Sequence, residues 1–234
     1  MTGRERLIVA LDESSASAAL QLVDRLSGHV GMFKVGKQLF TREGPGFVRD
    51  LVGRGERVFL DLKFHDIPNT VSGAIAAAVD LGVSLVNVHI AGGRKMLEAA
   101  ARAVDGSETR LLGVTVLTSL DDEALAETGM SGNVETTVPK LARLALDCGA
   151  AGVVASPREI VQVRRACGDD FLIVTPGVRP AGAAPDDQAR VASPGEAVRL
   201  GADYLVMGRP ITQARDPAAA AAAVAEEIDQ TPAR

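Results

Sequence analysis

The sequence predicts an α/β fold: a (β/α)8 barrel, the TIM-barrel architecture, forming a single domain over residues 1–234. Three observations lead there. Eight short runs rich in Val, Leu and Ile recur at intervals that fit a strand plus a helix, with little strict alternation; parallel strands covered by helices read this way. The length of 234 residues sits close to the ~250 typical of such barrels. The first run ends in ALDESSAS, without the glycine-rich fingerprint that an open doubly wound sheet usually carries there.

In order, the predicted strands are RLIVALD (6–12), GMFKVG (31–36), RVFLDLK (57–63), SLVNVH (84–89), RLLGVTVL (110–117), AGVVAS (151–156), FLIVTP (171–176) and DYLVMG (203–208). Helix signals fill the gaps. After a Ser14-Ser15 start, Ala16, Ala19, Leu20, Val23 and Leu26 fall at helical spacing. Ile75, Ala78 and Val79 share a helix face after Thr70, closed by Gly82 as a left-handed cap. Ser156-Pro157-Arg158-Glu159 and Ser193-Pro194-Gly195-Glu196 each join a capping box to a proline at the first helical position. Asp216-Pro217 opens a last helix whose Ala218–Ala223 run is a strong helix former. The one long irregular connection, RPAGAAPDDQARVA (179–192), follows the seventh strand; a loop of that length inside a compact barrel suits a mobile lid, with a tolerated surface insertion as the plain alternative.

Composition removes several function classes. Net charge is −5 with both signs interspersed, and there are seven aromatics and no basic tract, so no nucleic-acid surface is expected. Cys148 and Cys167 are too few for a disulfide framework or a zinc site and read as buried thiols in a reducing compartment. The N-terminal MTGRERLIVALD is neither a signal peptide nor a membrane span, and no later stretch is long and apolar enough to cross a bilayer. A soluble cytoplasmic protein is expected.

The third run places charge where a core belongs. Residues i and i+2 share a strand face, so Phe59, Asp61 and Lys63 point one way and Leu60 and Leu62 the other. In a barrel the leucines face the helices, while Asp61 and Lys63 face the axis near the C-terminal end, where sites of this fold sit. A salt bridge that merely plugs the core is the plain alternative, but burying two ions costs several kcal/mol each before pairing. Neighbouring strand ends add polar groups at the same rim: Asp12, Lys34, Thr118 and Gly208-Arg209. Carboxylates around a lysine hold it in its charged form, as a proton donor and a cation for a developing carbanion. Only five of the 25 basic residues are lysines; keeping lysine at 34 and 63 fits proton chemistry, since arginine does not give up its proton.

A phosphate end is separately legible. Thr175-Pro176-Gly177-Val178-Arg179 and Gly208-Arg209-Pro210-Ile211 follow the seventh and eighth strands, the pair of loops between which barrels bind phosphate through glycine N–H groups. Arg179 and Arg209 supply charge-assisted bonds. His29 reads as exposed, His89 as facing either the rim or a core hydrogen bond, and His65 has no evident co-ligands. Scattered histidines without clustered carboxylates argue against a dedicated metal site, although Asp61 or Asp66 retains the capacity to help hold Mg²⁺.

Together, IVALD (8–12), FKVGKQLF (33–40), FLDLKFHDIPNT (59–70), VTVLTS (114–119), TPGVRP (175–180) and YLVMGRPIT (204–212) resemble the orotidine 5′-phosphate decarboxylase family, which performs the last step of UMP synthesis. The likeness spans essentially the whole chain and departs at Ile90, where bacterial members more often carry a small residue. It implies decarboxylation of orotidine 5′-phosphate without cofactor or metal. Lys63 would protonate C6 of the pyrimidine, and Asp61 would sit against the substrate carboxylate and orient Lys63. Lys34 and Asp66 would complete an alternating charge array. The resemblance also implies a homodimer in which Asp66 and Thr70 reach the neighbouring subunit's site. Asp12 and Lys34 would bind ribose, Thr118 the pyrimidine edge, and Gln188 both base and phosphate. Arg179, Gly208 and Arg209 would hold the phosphate, with Ile67 and Pro176 completing the substrate-binding set. The competing expectations are an Mg²⁺-dependent sugar-phosphate decarboxylase or hexulose-phosphate synthase sharing Asp-x-Lys-x-x-Asp, and a non-catalytic phosphate-binding barrel.

Overall fold

In a computed structural model, which describes residues 1–180 and 192–232, the eight strands close into a parallel barrel in sequence order, with the first paired to the last. They are β1 (Leu7–Ala10), β2 (Met32–Gly36), β3 (Val58–Phe64), β4 (Leu85–His89), β5 (Arg110–Val114), β6 (Gly152–Val154), β7 (Leu172–Pro176) and β8 (Tyr204–Met207). Every predicted run supplies one strand. The fifth is shorter than its apolar run, because the chain turns away after Val114 and carries Val116 and Leu117 over the barrel mouth. At the N-terminus Arg6 belongs to a short helix, Gly3–Arg6, capped by Thr2, instead of to β1.

Alternation sorts the side chains. Ile8, Met32, Phe59, Leu85, Leu112, Val174, Tyr204 and Val206 fill the barrel axis, while Leu7, Val9, Phe33, Val35, Leu60, Val86 and Val88 pack outward under the helices. Fully burying one such large side chain contributes about 1.5–3 kcal/mol, so this axial cluster below the mouth reads as a structural core. At the next level up, the axis receives Lys34, Asp61 and Asn87 instead.

Local signals place the helices. Ser15 caps Ala16–Leu26 by accepting from the Ala18 N–H, Ser193 caps Pro194–Leu200 through the Glu196 N–H, and Asp216 caps Pro217–Asp229. The Glu159 carboxylate reaches back to the Ser156 N–H at 2.8 Å, opening a single 3₁₀ turn that leads into helix Ile160–Cys167. Helix Pro68–Asp80 starts before Thr70, because Pro68 supplies the pre-set φ of a first helical residue. Ile90 is fully buried, and a Cβ on Gly113 would lie 2.7 Å from its Cγ1; the large residue is accommodated because its β5 neighbour lacks a side chain. Cys148 is buried, but Cys167 is only half-buried, at the end of its helix. Among the described residues no helix is long and apolar enough to cross a membrane.

Candidate active site

At the C-terminal mouth four charges from three neighbouring strands alternate in sign. Lys34 Nζ on β2 lies 3.1 Å from Asp12 Oδ1, just past β1, and 3.6 Å from Asp61 Oδ2 on β3. Lys63 Nζ lies 2.6 Å from Asp61 Oδ1. The inner members are shielded, with side-chain exposures of 11% for Lys34 and 12% for Asp61, whereas Lys63 retains 26% and Asp12 opens to solvent. Asp66 does not join the array within its own chain. It is exposed beyond β3, its Oδ1 accepting from the Ile67 N–H at 2.6 Å. Ile67 and Thr70 are likewise exposed.

A second charged pair shows what structural burial of a cation looks like in this molecule. At the opposite end of the barrel, Arg164 is 6% exposed, and its guanidinium serves Asp203 together with the carbonyls of Gly201, Gly168, Asp169 and Phe171. That arrangement satisfies a buried ion with a full set of acceptors and ties loops together. Lys63 differs: it is only partly buried at the mouth, and among the described residues its ammonium pairs with the Asp61 carboxylate.

Two adjoining cavities sit over the array. One, of about 150 Å³, is bounded by Lys34, Asp61 and Lys63 on one side and by Phe59, Val114, Val116, Leu117, Val154 and Val206 on the others, with Thr118 at its edge. The second, of about 190 Å³, shares Lys34, Pro176 and Val206 with the first and extends to Asp12, Gly177, Arg179, Gly208 and Arg209. Together they make an elongated site with an apolar pocket at the charged end and two arginines at the other. A roomier groove of about 430 Å³ opens on the barrel's outer face beside Leu60, Leu62 and Phe64. Its walls are apolar apart from Arg49 and Asp80, whereas the mouth gathers the alternating charges and both arginines, so chemistry and not size selects the mouth. Of the predicted residues, Gln188 lies outside the described residues. So does most of the predicted lid 179–192, whose ends meet where the Arg179 N–H donates to the Ala192 carbonyl at 3.1 Å.

The sequence reading missed Asn87. This β4 residue is fully buried; its Nδ2 donates to Asp61 Oδ1 at 2.7 Å, and its Oδ1 accepts from the Lys63 N–H at 2.8 Å. The available signal was an amide in the otherwise apolar run SLVNVH. The histidine pair was also legible only in part: His89 ends β4 at the rim, its ring centroid 5.5 Å from that of His65. Burial, then the positive field of His65, Lys37 and Lys63, pushes the His89 imidazole below its ordinary pKa.

Burial alone would push the Asp61 carboxyl up. The ammonium groups of Lys34 and Lys63 and the hydrogen bonds from Lys63 and Asn87 outweigh that effect, and the carboxyl titrates below its ordinary 3.8. The stabilisation linked to this shift is complete above pH 3.8 and is lost as pH falls through the lowered folded value. Urea unfolding midpoints between pH 7 and 3 should therefore fall more steeply for wild type than for Asp61→Asn at the acid end. Parallel curves would mean that Asp61 contributes no linked stability.

The chain as a whole is similar to known proteins. A family model described as "Orotidine 5'-phosphate decarboxylase / HUMPS family" matches residues 5–224. An orotidine 5′-phosphate decarboxylase of Moorella thermoacetica is 56% identical, the match covering 98% of this chain and 94% of that one. One of Halorhodospira halophila is also 56% identical, over 97% of each. The crystal structure of orotidine 5′-phosphate decarboxylase from Lactobacillus acidophilus superposes with a TM-score of 0.86 at 37% identity, covering 95% of this chain and 98% of that one. With both the barrel and the match running nearly end to end, the chain belongs to the orotidine 5′-phosphate decarboxylase / HUMPS family.

Proposed function

We propose that this chain decarboxylates orotidine 5′-phosphate to UMP and CO2, the last step of pyrimidine nucleotide synthesis, as a carbon–carbon lyase that uses Lys63 as proton donor. The observation that carries the reading is the Asp61–Lys63 pair at 2.6 Å, facing an apolar pocket that runs into a two-arginine end. A planar base fits walls of Phe59, Val114, Val154 and Val206; an open-chain sugar phosphate would leave its hydroxyls facing hydrocarbon there, at a cost for each unpaired group.

Loss of CO2 from C6 leaves an electron pair in an in-plane orbital outside the ring's π system. Stabilisation then falls to fixed charge, for a barrier reduction on the order of 15–20 kcal/mol. The Lys63 ammonium faces that developing charge and gives its proton to C6, ending as a neutral amine that regains a proton from water. Asp61, held ionised, lies against the departing carboxylate. Asp12 and Lys34 take the ribose hydroxyls, Thr118 the pyrimidine edge, Gln188 both base and phosphate, and Pro176, Arg179, Gly208 and Arg209 the phosphate end. Binding energy gathered there holds the carboxylate against Asp61.

The working unit is a homodimer in this reading. Asp66, Ile67 and Thr70 are exposed just beyond β3, and Ile67, an apolar side chain, is 67% exposed; both facts suit a partner's mouth, where Asp66 would extend the charge array past Lys63. The unpaired thiols Cys148 and Cys167 suit a cytoplasmic setting. Offered orotidine 5′-phosphate and a 3-keto sugar 6-phosphate separately, the protein should consume the nucleotide and leave the sugar untouched; the reverse preference would move it to the sugar-phosphate branch of the family.

A further inference from the structure

We propose that Asn87 is a positioning residue for the decarboxylation, fixing the Asp61 carboxylate and the Lys63 main chain in one relation to each other. The inference rests on the roles given above to Asp61 and Lys63.

Three features converge on this side chain. First, Asn87 is fully buried and spans the two groups, donating to Asp61 Oδ1 at 2.7 Å and accepting from the Lys63 N–H at 2.8 Å. The oxygen it grips is the one that receives Lys63 Nζ at 2.6 Å. The Asp61 carboxylate cannot rotate without breaking both bonds, and its Oδ2 stays turned toward Lys34.

Second, the β3–β4 ladder breaks at this point. Leu60 pairs with Val86 and Phe64 with Val88, so the three β3 residues from Asp61 to Lys63 lie opposite Asn87 alone. A bulge of this kind re-aims a side chain at the expense of ladder hydrogen bonds. Here the Asn87 amide replaces one of them.

Third, Lys63 has φ 52°, the positive value that among the described residues is otherwise confined to glycines. A left-handed lysine is held only where its surroundings over-determine it, and the bond from its N–H to Asn87 is one of the constraints that do so. An asparagine that merely satisfied itself in the core would not need to join two residues of the charge array across a bulge. The residue type follows as well: leucine would leave the Lys63 N–H and an Asp61 lone pair unpartnered. Aspartate could accept from the N–H but would offer Asp61 a second negative charge in place of a donor.

The test compares Asn87→Ala, Asn87→Asp and, as control, Lys63→Ala by kcat and KM for orotidine 5′-phosphate, by UMP affinity and by thermal midpoint. UMP lacks the C6 carboxylate, so its binding reports a folded, phosphate-competent site without drawing on Asp61. For Asn87→Ala, kcat per UMP-binding site should fall on the order of 100-fold, the scale set by misplacing a reacting group by about 1 Å, while UMP affinity moves less than about threefold. In Asn87→Asp the acid limb of kcat should also move to higher pH, because a second carboxylate would stand against Asp61 in place of the amide donor, opposing the hold of Lys34 and Lys63 on the Asp61 charge; His89 is a further titratable group in the field of Asp61. A lowered thermal midpoint with kcat per UMP-binding site within about threefold of wild type would make the role structural only and overturn the proposal. If Asn87→Ala does not fold, the near-isosteric Asn87→Asp is judged by the same kcat criterion. Near-normal turnover in Lys63→Ala would instead overturn the site assignment itself, whereas a dead Lys63→Ala beside normal Asn87 variants would overturn only the role of Asn87.

Discussion

Lys63→Ala is expected to lower kcat by on the order of 10⁴-fold or more, combining loss of the general acid with loss of the cation that faces the carbanion. UMP affinity should survive, because Asp12, Lys34, Arg179 and Arg209, the proposed ribose- and phosphate-binding residues, line the other cavity, apart from Lys63. Lys63→Arg should be nearly as inactive despite keeping the charge, since a guanidinium does not release its proton. Rapid-quench single-turnover kinetics, with UMP titration as the binding control, would check both variants. Near-wild-type turnover in Lys63→Ala would remove this residue from the chemistry, and strong turnover in Lys63→Arg would mean that charge alone suffices.

The second large effect concerns the residue that does not meet the array in its own chain. Asp66 is exposed, yet Asp66→Ala is expected to lower turnover by on the order of 100-fold or more, as loss of a preorganised charge does, if the site is completed across a dimer. Mixing separates this from a local effect. In a heterodimer of Lys63→Ala with Asp66→Ala, one mouth has lost both groups and the other has kept both. An isologous pair with two equivalent sites should then regain about half the wild-type rate per heterodimer. Recovery is measured after co-refolding, with heterodimers isolated by differential tags. Verified heterodimers that remain inactive would confine Asp66 to its own subunit.

The barrel was legible because each strand is a short apolar run closed by a turn signal, and burial of both faces selects such runs wherever helices cover a parallel sheet. Lys34, Asp61 and Lys63 were legible for a related reason: strand alternation fixes facing, so charges at i and i+2 in an apolar run stand out. Asn87 was hidden by the register break. Its partnership depends on the β3 bulge and on a left-handed Lys63, and neither glycine nor asparagine marks that turn in RVFLDLKFHD. Pairing across strands is set by tertiary register, which one chain's periodicity does not encode. The helix Lys37–Gly53 was equally obscure, because Gly44 and Pro45 interrupt its pattern; the structure absorbs them as a kink, with Gly44 at φ 67°.

The central proposal is that the charge array decarboxylates orotidine 5′-phosphate with protein side chains alone, in contrast to the Mg²⁺-dependent sugar-phosphate alternative. The direct measurement is ultraviolet absorbance of orotidine 5′-phosphate mixed with the protein in excess EDTA, followed by addition of Mg²⁺. The account predicts full conversion to UMP in EDTA, at a rate that added Mg²⁺ leaves unchanged. No conversion, or conversion that begins only when Mg²⁺ is restored, would contradict it.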